Sequence, residues 1–155
     1  LTFPMEVRIS PWYDGATVVE RGPLVYALKM NEKWEKHEFE ASYEGKYGPY
    51  YYTCVSDTQW NYGFRLKDMT PELMFENFKV EVRSDDGLYP WNLENAPVTI
   101  RAKAVVIKPW KEYNGSTGPI AYYREDGDDT GEEAWIELIP YGCTTLRIAE
   151  FPTRL

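Results

Sequence analysis

An acidic stretch in the last third of the chain carries the side chains best suited to hold a metal ion. Counted from Asp126, oxygen-bearing side chains recur at alternate positions, Asp128 and Thr130, with Gly131 at the sixth position and Glu137 at the twelfth. Alternating oxygen ligands around a glycine turn, closed by a glutamate at position twelve, are typical of a calcium-binding loop. Calcium held by Asp126, Asp128, Thr130 and Glu137 is therefore one interpretation of this stretch.

The same residues also fit a solvated hairpin loop, because Gly and Asp are common turn formers. Glu133 stands at a position that is usually apolar in calcium loops. The flanking residues have the pattern of strands, whereas calcium loops of this kind lie between helices. We therefore expect no bound cofactor, and calcium is the alternative.

Aromatic residues form a second group with binding chemistry. The chain has 6 Trp, 13 Tyr and 6 Phe, and Trp60, Tyr62 and Trp91 lie beside Asn in two of the aromatic clusters. Aromatic rings can stack on the apolar C–H faces of sugars, but they also build β-sheet cores and contacts between domains. We assign Trp60, Tyr62 and Trp91 as candidates for sugar binding or for packing against a neighbouring domain.

The scarcity of histidine and cysteine excludes several catalytic classes. His37 is the only histidine in the sequence and lies in a charged stretch, which is more typical of a solvated surface than of a catalytic base. Cys54 and Cys143 are far apart in sequence, so they lack the close spacing of structural zinc ligands. The two cysteines form either a disulfide or, in the simpler interpretation, two buried free thiols.

The excess of acidic residues restricts the classes of partner that this chain can bind. The chain has 17 Lys and Arg against 25 Asp and Glu, a net charge of −8 that argues against nucleic acid and an anionic membrane surface as partners. No apolar run approaches the roughly 18 residues that a membrane span needs.

The many carboxylates invite a glycosidase interpretation with a paired acid and base. No spacing defines such a pair, so we predict no catalytic residues.

Short runs in which apolar and polar residues alternate, separated by turn formers, recur along the chain without a long helical stripe. This pattern predicts an all-β fold, an antiparallel β-sandwich of the jelly-roll type, as a single domain over 1–155. Residues 1–30 also fit the end of a preceding sandwich, with 31–155 as the main one. Residues 30–46 are charged and aperiodic, which indicates a loop, either alone or with a short helical turn. Strands are predicted over 3–9, 17–21, 24–28, 50–55, 62–66, 75–82, 98–107, 120–124, 135–139 and 145–148.

The strand pattern also predicts the core. Hydrophobic residues make up 43% of the chain, which is ample material for one buried core in a domain of this size. Residues in apolar strand stretches bounded by turn formers are expected to be buried. These are Leu24, Tyr26, Ile107, Leu138, Leu146 and Ile148.

Several segments together resemble a known family. They are 19–28 (VERGPLVYAL), 60–63 (WNYG), 89–92 (YPWN), 96–98 (APV) and 139–152 (IPYGCTTLRIAEFP). In this order they resemble the C-terminal β-sandwich region of glycoside hydrolase family 127, which includes β-L-arabinofuranosidases. The most specific part is the RGPLVY stretch, and the resemblance covers nearly the whole chain.

The resemblance implies a parent enzyme with a large (α/α)6 barrel that carries the catalytic Glu and Cys residues, followed by β-sandwich domains. That barrel is absent from this sequence, and neither Cys54 nor Cys143 lies in a motif that matches the family's catalytic or metal-binding cysteines. The resemblance therefore implies a non-catalytic accessory domain whose partner is the catalytic barrel of the parent chain. It also implies a periplasmic or secreted location.

Two other functions remain open at this point. The first is a carbohydrate-binding module that retains its own affinity for plant-polysaccharide oligosaccharides, with the aromatic residues as its platform. The second, an independent glycosidase, is not expected because no acid, base or nucleophile constellation can be assigned.

Overall fold

Short alternating runs form the strands of this protein, as seen in a computed structural model that describes residues 2–40, 45–65, 70–124 and 127–153. A helix of seven residues, α1 (Pro71–Asn77), and twelve strands lie within these ranges, and residues 45–47 are also helical. The strands are β1 (Val7–Pro11), β2 (Ala16–Arg21), β3 (Leu24–Leu28), β4 (Lys33–Glu38), β5 (Tyr50–Val55), β6 (Tyr62–Gly63), β7 (Phe78–Val82), β8 (Val98–Ile107), β9 (Glu112–Tyr113), β10 (Ser116–Thr117), β11 (Thr130–Pro140) and β12 (Phe151–Pro152).

Eight of these strands form one curled sheet in the order β1-β2-β3-β11-β8-β6, with β7 beside β8 and β12 beside β2. All of its strand pairs are antiparallel, and the two longest strands, β8 and β11, pair with each other in its middle. Residues 7–28 contribute three strands to this sheet, and β3 pairs with both β2 and β11. The remaining strands form two separate hairpins, β4–β5 and β9–β10.

The curled sheet nearly closes on itself through its shortest strands. β12 pairs with β2 on one side. On the other side the chain leaving β6 meets β12, where the amide of Phe64 donates to the carbonyl oxygen of Pro152 at 3.1 Å. Phe64 and Thr153 also form an isolated parallel bridge. The two ends of the sheet are therefore joined around the core.

Alternation along β8 explains which face is buried. Val98, Ile100, Ala102 and Ala104 point into the core, while the intervening positions, such as Arg101, are more exposed. The all-β class predicted from the sequence is confirmed. The sandwich architecture stays a prediction, because the main strands belong to one curled sheet.

Four stretches differ from the secondary structure that the sequence predicts. The stretch predicted as a loop contains β4, whose charged residues pair in register with β5. The first part of the predicted strand 75–82 belongs instead to the end of α1. This helix begins after its N-cap Thr70, whose hydroxyl accepts a hydrogen bond from the amide of Leu73 at 3.3 Å. Pro71 lies in the first turn of the helix. The strands predicted over 120–124 and 145–148 are irregular in the structure. No helix within the described ranges is long and apolar enough to cross a membrane.

Half of the predicted core is confirmed. Tyr26, Ile107 and Leu138 are completely or almost completely buried. The prediction is wrong for the other three, which are only partly buried and pack against the core from its rim: one begins β3 next to its turn, and two lie in irregular chain after β11. These are Leu24, Leu146 and Ile148.

The central position of Leu138 gives a test of this packing. Leu138→Ala is expected to lower the free energy of unfolding by about 2–5 kcal/mol, because it leaves a cavity between β3 and β8. The exposed Leu88 is the matched control, and Leu88→Ala should change stability by less than about 0.5 kcal/mol. Denaturant unfolding measures both, and equal losses would contradict the assigned core.

Candidate functional site

Four stretches of chain converge around an open cleft of about 760 Å³. They comprise residues 13–14, 54–60, 110–120 and 141–150, and the buried side chain of Met30 contributes to the lining. A volume of this size falls in the range of about 300–1,000 Å³ that is usual for ligand sites. We refer to this feature as the cleft.

Two tryptophans form one wall of the cleft. The Trp60 and Trp110 rings meet edge to face with their centroids 4.9 Å apart. Trp110 is only 2% exposed, and its indole N–H donates to the carbonyl oxygen of Gly118 at 3.1 Å. The buried side-chain amide of Asn61 donates to the carbonyl oxygens of Ile107 and Trp110, at 2.8 and 3.1 Å. These contacts fix Trp60 in place and leave part of its ring facing the cleft.

A carboxylate and two tyrosines stand at one rim. Asp14 has a positive φ of 55°, in the left-handed region that aspartate tolerates better than most residues. The hydroxyl of Tyr122 donates to Asp14 Oδ1 at 2.8 Å, and this hydrogen bond to the carboxylate raises the pKa of Tyr122. Tyr13, next to Asp14, is 84% exposed and lines the cleft. The rim therefore combines an oriented acceptor with an aromatic face.

Another part of the cleft lining carries an arginine stacked on a tyrosine. The guanidinium of Arg147 lies 5.1 Å from the centre of the Tyr141 ring, and its Nε donates to the carbonyl oxygen of Thr144 at 3.2 Å. Counting the lining residues, the cleft has three carboxylates against this single guanidinium. The three are Asp14, Glu112 and Glu150.

The structure separates the three aromatic residues selected from the sequence. Trp60 lines the cleft. Tyr62 lies in β6 and packs against the core, and burial raises the pKa of its hydroxyl. Trp91 is partly exposed in a different loop, next to Gly142 and outside the cleft lining. Only one of the three candidates therefore belongs to the cleft.

Sequence reasoning missed other residues of the cleft. Tyr13 and Asp14 belong to a short 3-10 turn before β2, and Tyr141 to a second one after β11. The Asp-Gly pair at residues 14–15 predicts the first turn, but it does not indicate that this turn lines the same cleft as Tyr141. Only the folded sheet brings these two turns together.

The acidic stretch is spread out in the structure. Asp126 lies outside the described residues, and Asp128 is exposed. Thr130 and Glu137 lie on the same strand, β11, about 23 Å apart at roughly 3.3 Å per residue, so these two cannot bind one ion. Glu137 instead pairs with Lys29 at 3.0 Å. Within the described ranges, no group of three or more His, Cys, Asp or Glu side chains is placed to hold a metal.

The cysteines and the histidine have local structural environments. Cys54 and Cys143 are both free thiols, and burial raises the pKa of each. A raised pKa keeps a thiol protonated and a poor nucleophile. His37 stacks on Tyr51, with ring centroids 5.0 Å apart, and its Nε2 lies 2.8 Å from Thr53 Oγ1.

A second surface is formed by the β4–β5 hairpin, which we call the aromatic ribbon. Residues paired directly across an antiparallel hairpin share a face, and the pairs Trp34–Cys54, Lys36–Tyr52 and Glu38–Tyr50 form one face. Trp34, Tyr50 and Tyr52 are each about half exposed there. On the other face, Tyr51 packs against His37 and Phe39.

Polar contacts fix the base of the aromatic ribbon. The side-chain oxygen of Asn31, before β4, accepts hydrogen bonds from the hydroxyls of Ser56 and Thr58, after β5, at 2.6 and 2.8 Å. Glu32 accepts from the hydroxyl of Thr144 at 3.0 Å and from the amide of Thr145. The ribbon is thus anchored beside the cleft, although in the part of the chain that the structure describes it shares no strand pairing with the main sheet.

No family model matches this chain, and neither does any curated protein or solved structure with which it was compared. The geometry of the cleft and of the aromatic ribbon must therefore carry the functional argument.

The spread of the acidic stretch leads to a prediction about calcium. Calcium should leave the melting temperature unchanged, because Thr130 and Glu137 are too far apart to share an ion. A site filled at about 100 times its dissociation constant would add about 2.7 kcal/mol of stability. Thermal unfolding with calcium and with a chelator measures the difference. A rise in melting temperature that Asp128→Ala abolishes and Glu94→Ala preserves would contradict the prediction.

Proposed function

We propose that this chain is a non-catalytic accessory β-domain of a glycoside hydrolase resembling family 127, and that it packs on the catalytic barrel of the parent protein. The observation that carries the proposal is the aromatic ribbon, which is anchored at its base but exposes aromatic rings on its outer face. Exposed aromatic clusters of this kind mark contacts with other proteins or domains.

The ribbon needs support that its own contacts do not supply. A two-stranded hairpin is only marginally stable in water without a third strand or a packed face. Within the described residues, β4 and β5 pair only with each other. Lys36 covers the Tyr50 ring with its ammonium group, at 4.0 Å from the ring centre, while Trp34 and Tyr52 stay about half exposed. A neighbouring domain that buries these rings would stabilise the hairpin through the hydrophobic effect.

The carboxylates favour an accessory role over hydrolysis. A glycosidase acid needs a raised pKa so that it stays protonated until it donates to the leaving group. Among the described carboxyl groups whose pKa departs clearly from its usual value, every one is shifted down. In Glu133, for example, the hydrogen bond from Lys103 lowers the pKa most, and Arg65 adds to it. Such groups ionise too readily to serve as the acid.

The resemblance to family 127 also implies a cellular location. A parent that degrades plant polysaccharide would act in the periplasm or outside the cell. Both cysteines are nevertheless free here, so the fold of this chain does not depend on an oxidising compartment. The most direct test is the coding sequence that precedes Leu1, where an (α/α)6 barrel is expected. A parent gene without one would overturn the proposal.

The isolated chain is expected to lack hydrolase activity. Aryl arabinofuranosides and related aryl glycosides should release no phenol above the buffer rate, because the described carboxyl groups with a clear pKa shift are all more acidic than usual, the opposite of what a glycosidase acid needs. A chromogenic assay with the full parent protein as positive control measures this. Turnover that persists after repurification and disappears in a point variant of this chain would contradict the prediction.

The aromatic ribbon should bind the parent's barrel when the two are produced as separate chains. Tyr52→Ser is expected to weaken that association by at least about tenfold, because central aromatic side chains dominate interfaces. The control is Tyr89→Ser, which removes a similarly exposed tyrosine from a different loop. Isothermal titration measures both variants, and equal effects would exclude the ribbon as the contact.

A further inference from the structure

We propose that the cleft is a binding site for an uncharged oligosaccharide. This inference goes beyond the accessory role, because it concerns a neighbouring surface. The end of β5 contributes Cys54 and Val55 to the cleft, but the outward rings of the aromatic ribbon, Trp34, Tyr50 and Tyr52, are not among the residues that line it. It concerns the isolated chain and needs no contribution from the barrel.

The first argument is the aromatic lining. Trp60 is held by its edge-to-face contact with the buried Trp110, so its position is set before any ligand arrives. Tyr13 and Tyr141, from two distant turns, present further exposed rings to the same cleft. Rings that are fixed beforehand bind with a smaller loss of side-chain entropy. Such rings suit the flat C–H faces of sugars, which are apolar on one side and carry hydroxyls at the edge.

The second argument is that hydrogen-bonding groups lie among these rings in the cleft lining. Tyr122 orients the Asp14 carboxylate through one hydrogen bond, and a carboxylate has about four acceptor sites, so Asp14 can accept further bonds from sugar hydroxyls. Thr117 adds a hydroxyl group that can both donate and accept, whereas the Ser56 hydroxyl already donates to Asn31. The cleft thus combines aromatic faces with hydrogen-bonding groups, which is what recognition of a hydroxyl-rich ligand needs.

The third argument is charge, which selects among sugars. The lining has three carboxylates and one guanidinium, and the whole chain has a net charge of −8. Arg147 is already stacked on Tyr141 and donates to a backbone carbonyl. A uronate or a phosphorylated sugar would therefore meet net repulsion. An uncharged oligosaccharide avoids it and supplies the hydroxyl donors that carboxylates accept.

Calorimetric titration of the chain tests the proposal. The probes are neutral hexasaccharides from arabinan, xylan and β-glucan, with an oligogalacturonate of the same length as the acidic probe. At least one neutral probe should bind with a dissociation constant of about 1 mM or lower. The oligogalacturonate should bind at least about tenfold more weakly than that probe at low salt.

Two substitutions locate the binding. Tyr13→Ala removes an exposed ring that supports no core residue, and it should weaken binding about fivefold to tenfold. Asp14→Asn keeps a residue that tolerates positive φ but removes the charge, and it should weaken binding by a similar factor. Tyr89→Ala is the matched control and should bind like the unchanged chain, and circular dichroism verifies that each variant is folded.

Three results would overturn the proposal. The first is the absence of saturable binding of all three neutral probes up to about 10 mM. The second is tighter binding of the oligogalacturonate than of any neutral probe, which would contradict the uncharged class. The third is an equal loss of affinity in Tyr89→Ala and Tyr13→Ala, which would place the binding outside the cleft. None of these results bears on association with the barrel, which the ribbon variants test separately.

Discussion

Closure of the curled sheet by β12 is the contact on which the rest of the structure depends. This strand has only two residues, yet it pairs with β2 and meets the chain beyond β6. The buried ring of Phe151 packs against Phe64 with centroids 4.9 Å apart. The approach leaves no room for a side chain at Gly63, where a Cβ would lie 2.6 Å from the Pro152 carbonyl oxygen. Backbone pairing and ring packing thus seal the core together.

Closure also determines where binding surfaces can form. Once the sheet has curled, the chain before β2, after β8 and after β11 emerges around one cleft, and Asn61 ties the β6 side of it to β8. The aromatic ribbon is anchored at the same place by Glu32, whose carboxylate binds the chain after β11. The cleft and the ribbon therefore share a support but present different chemistry: the cleft is concave and carries carboxylates, and the ribbon exposes aromatic rings on its outer face.

The sequence predicted those features that depend on neighbours along the chain. The bounds of β3, β5 and β8 match the predicted strands, because their apolar and aromatic runs are bounded by turn residues. β4 was missed because its charged residues have no period of their own and become a strand only by pairing with β5. Trp60 was found as an aromatic candidate. Its partners Tyr13, Asp14 and Tyr141 were not, since they come together only through the tertiary fold.

The two strands of the aromatic ribbon differ in a way that matters when the chain is alone. β4 carries charges at Lys33, Glu35, Lys36 and Glu38, whereas β5 reads YYYTCV, with no charge, proline or glycine. Segments of the second kind readily form cross-β stacks when their backbone edge is uncovered. In the described part of the chain, β4 alone pairs with β5. The charges on β4 disfavour the addition of further strands on that side of the hairpin. A neighbouring domain that covers the free edge of β5 would prevent strand addition on the other side.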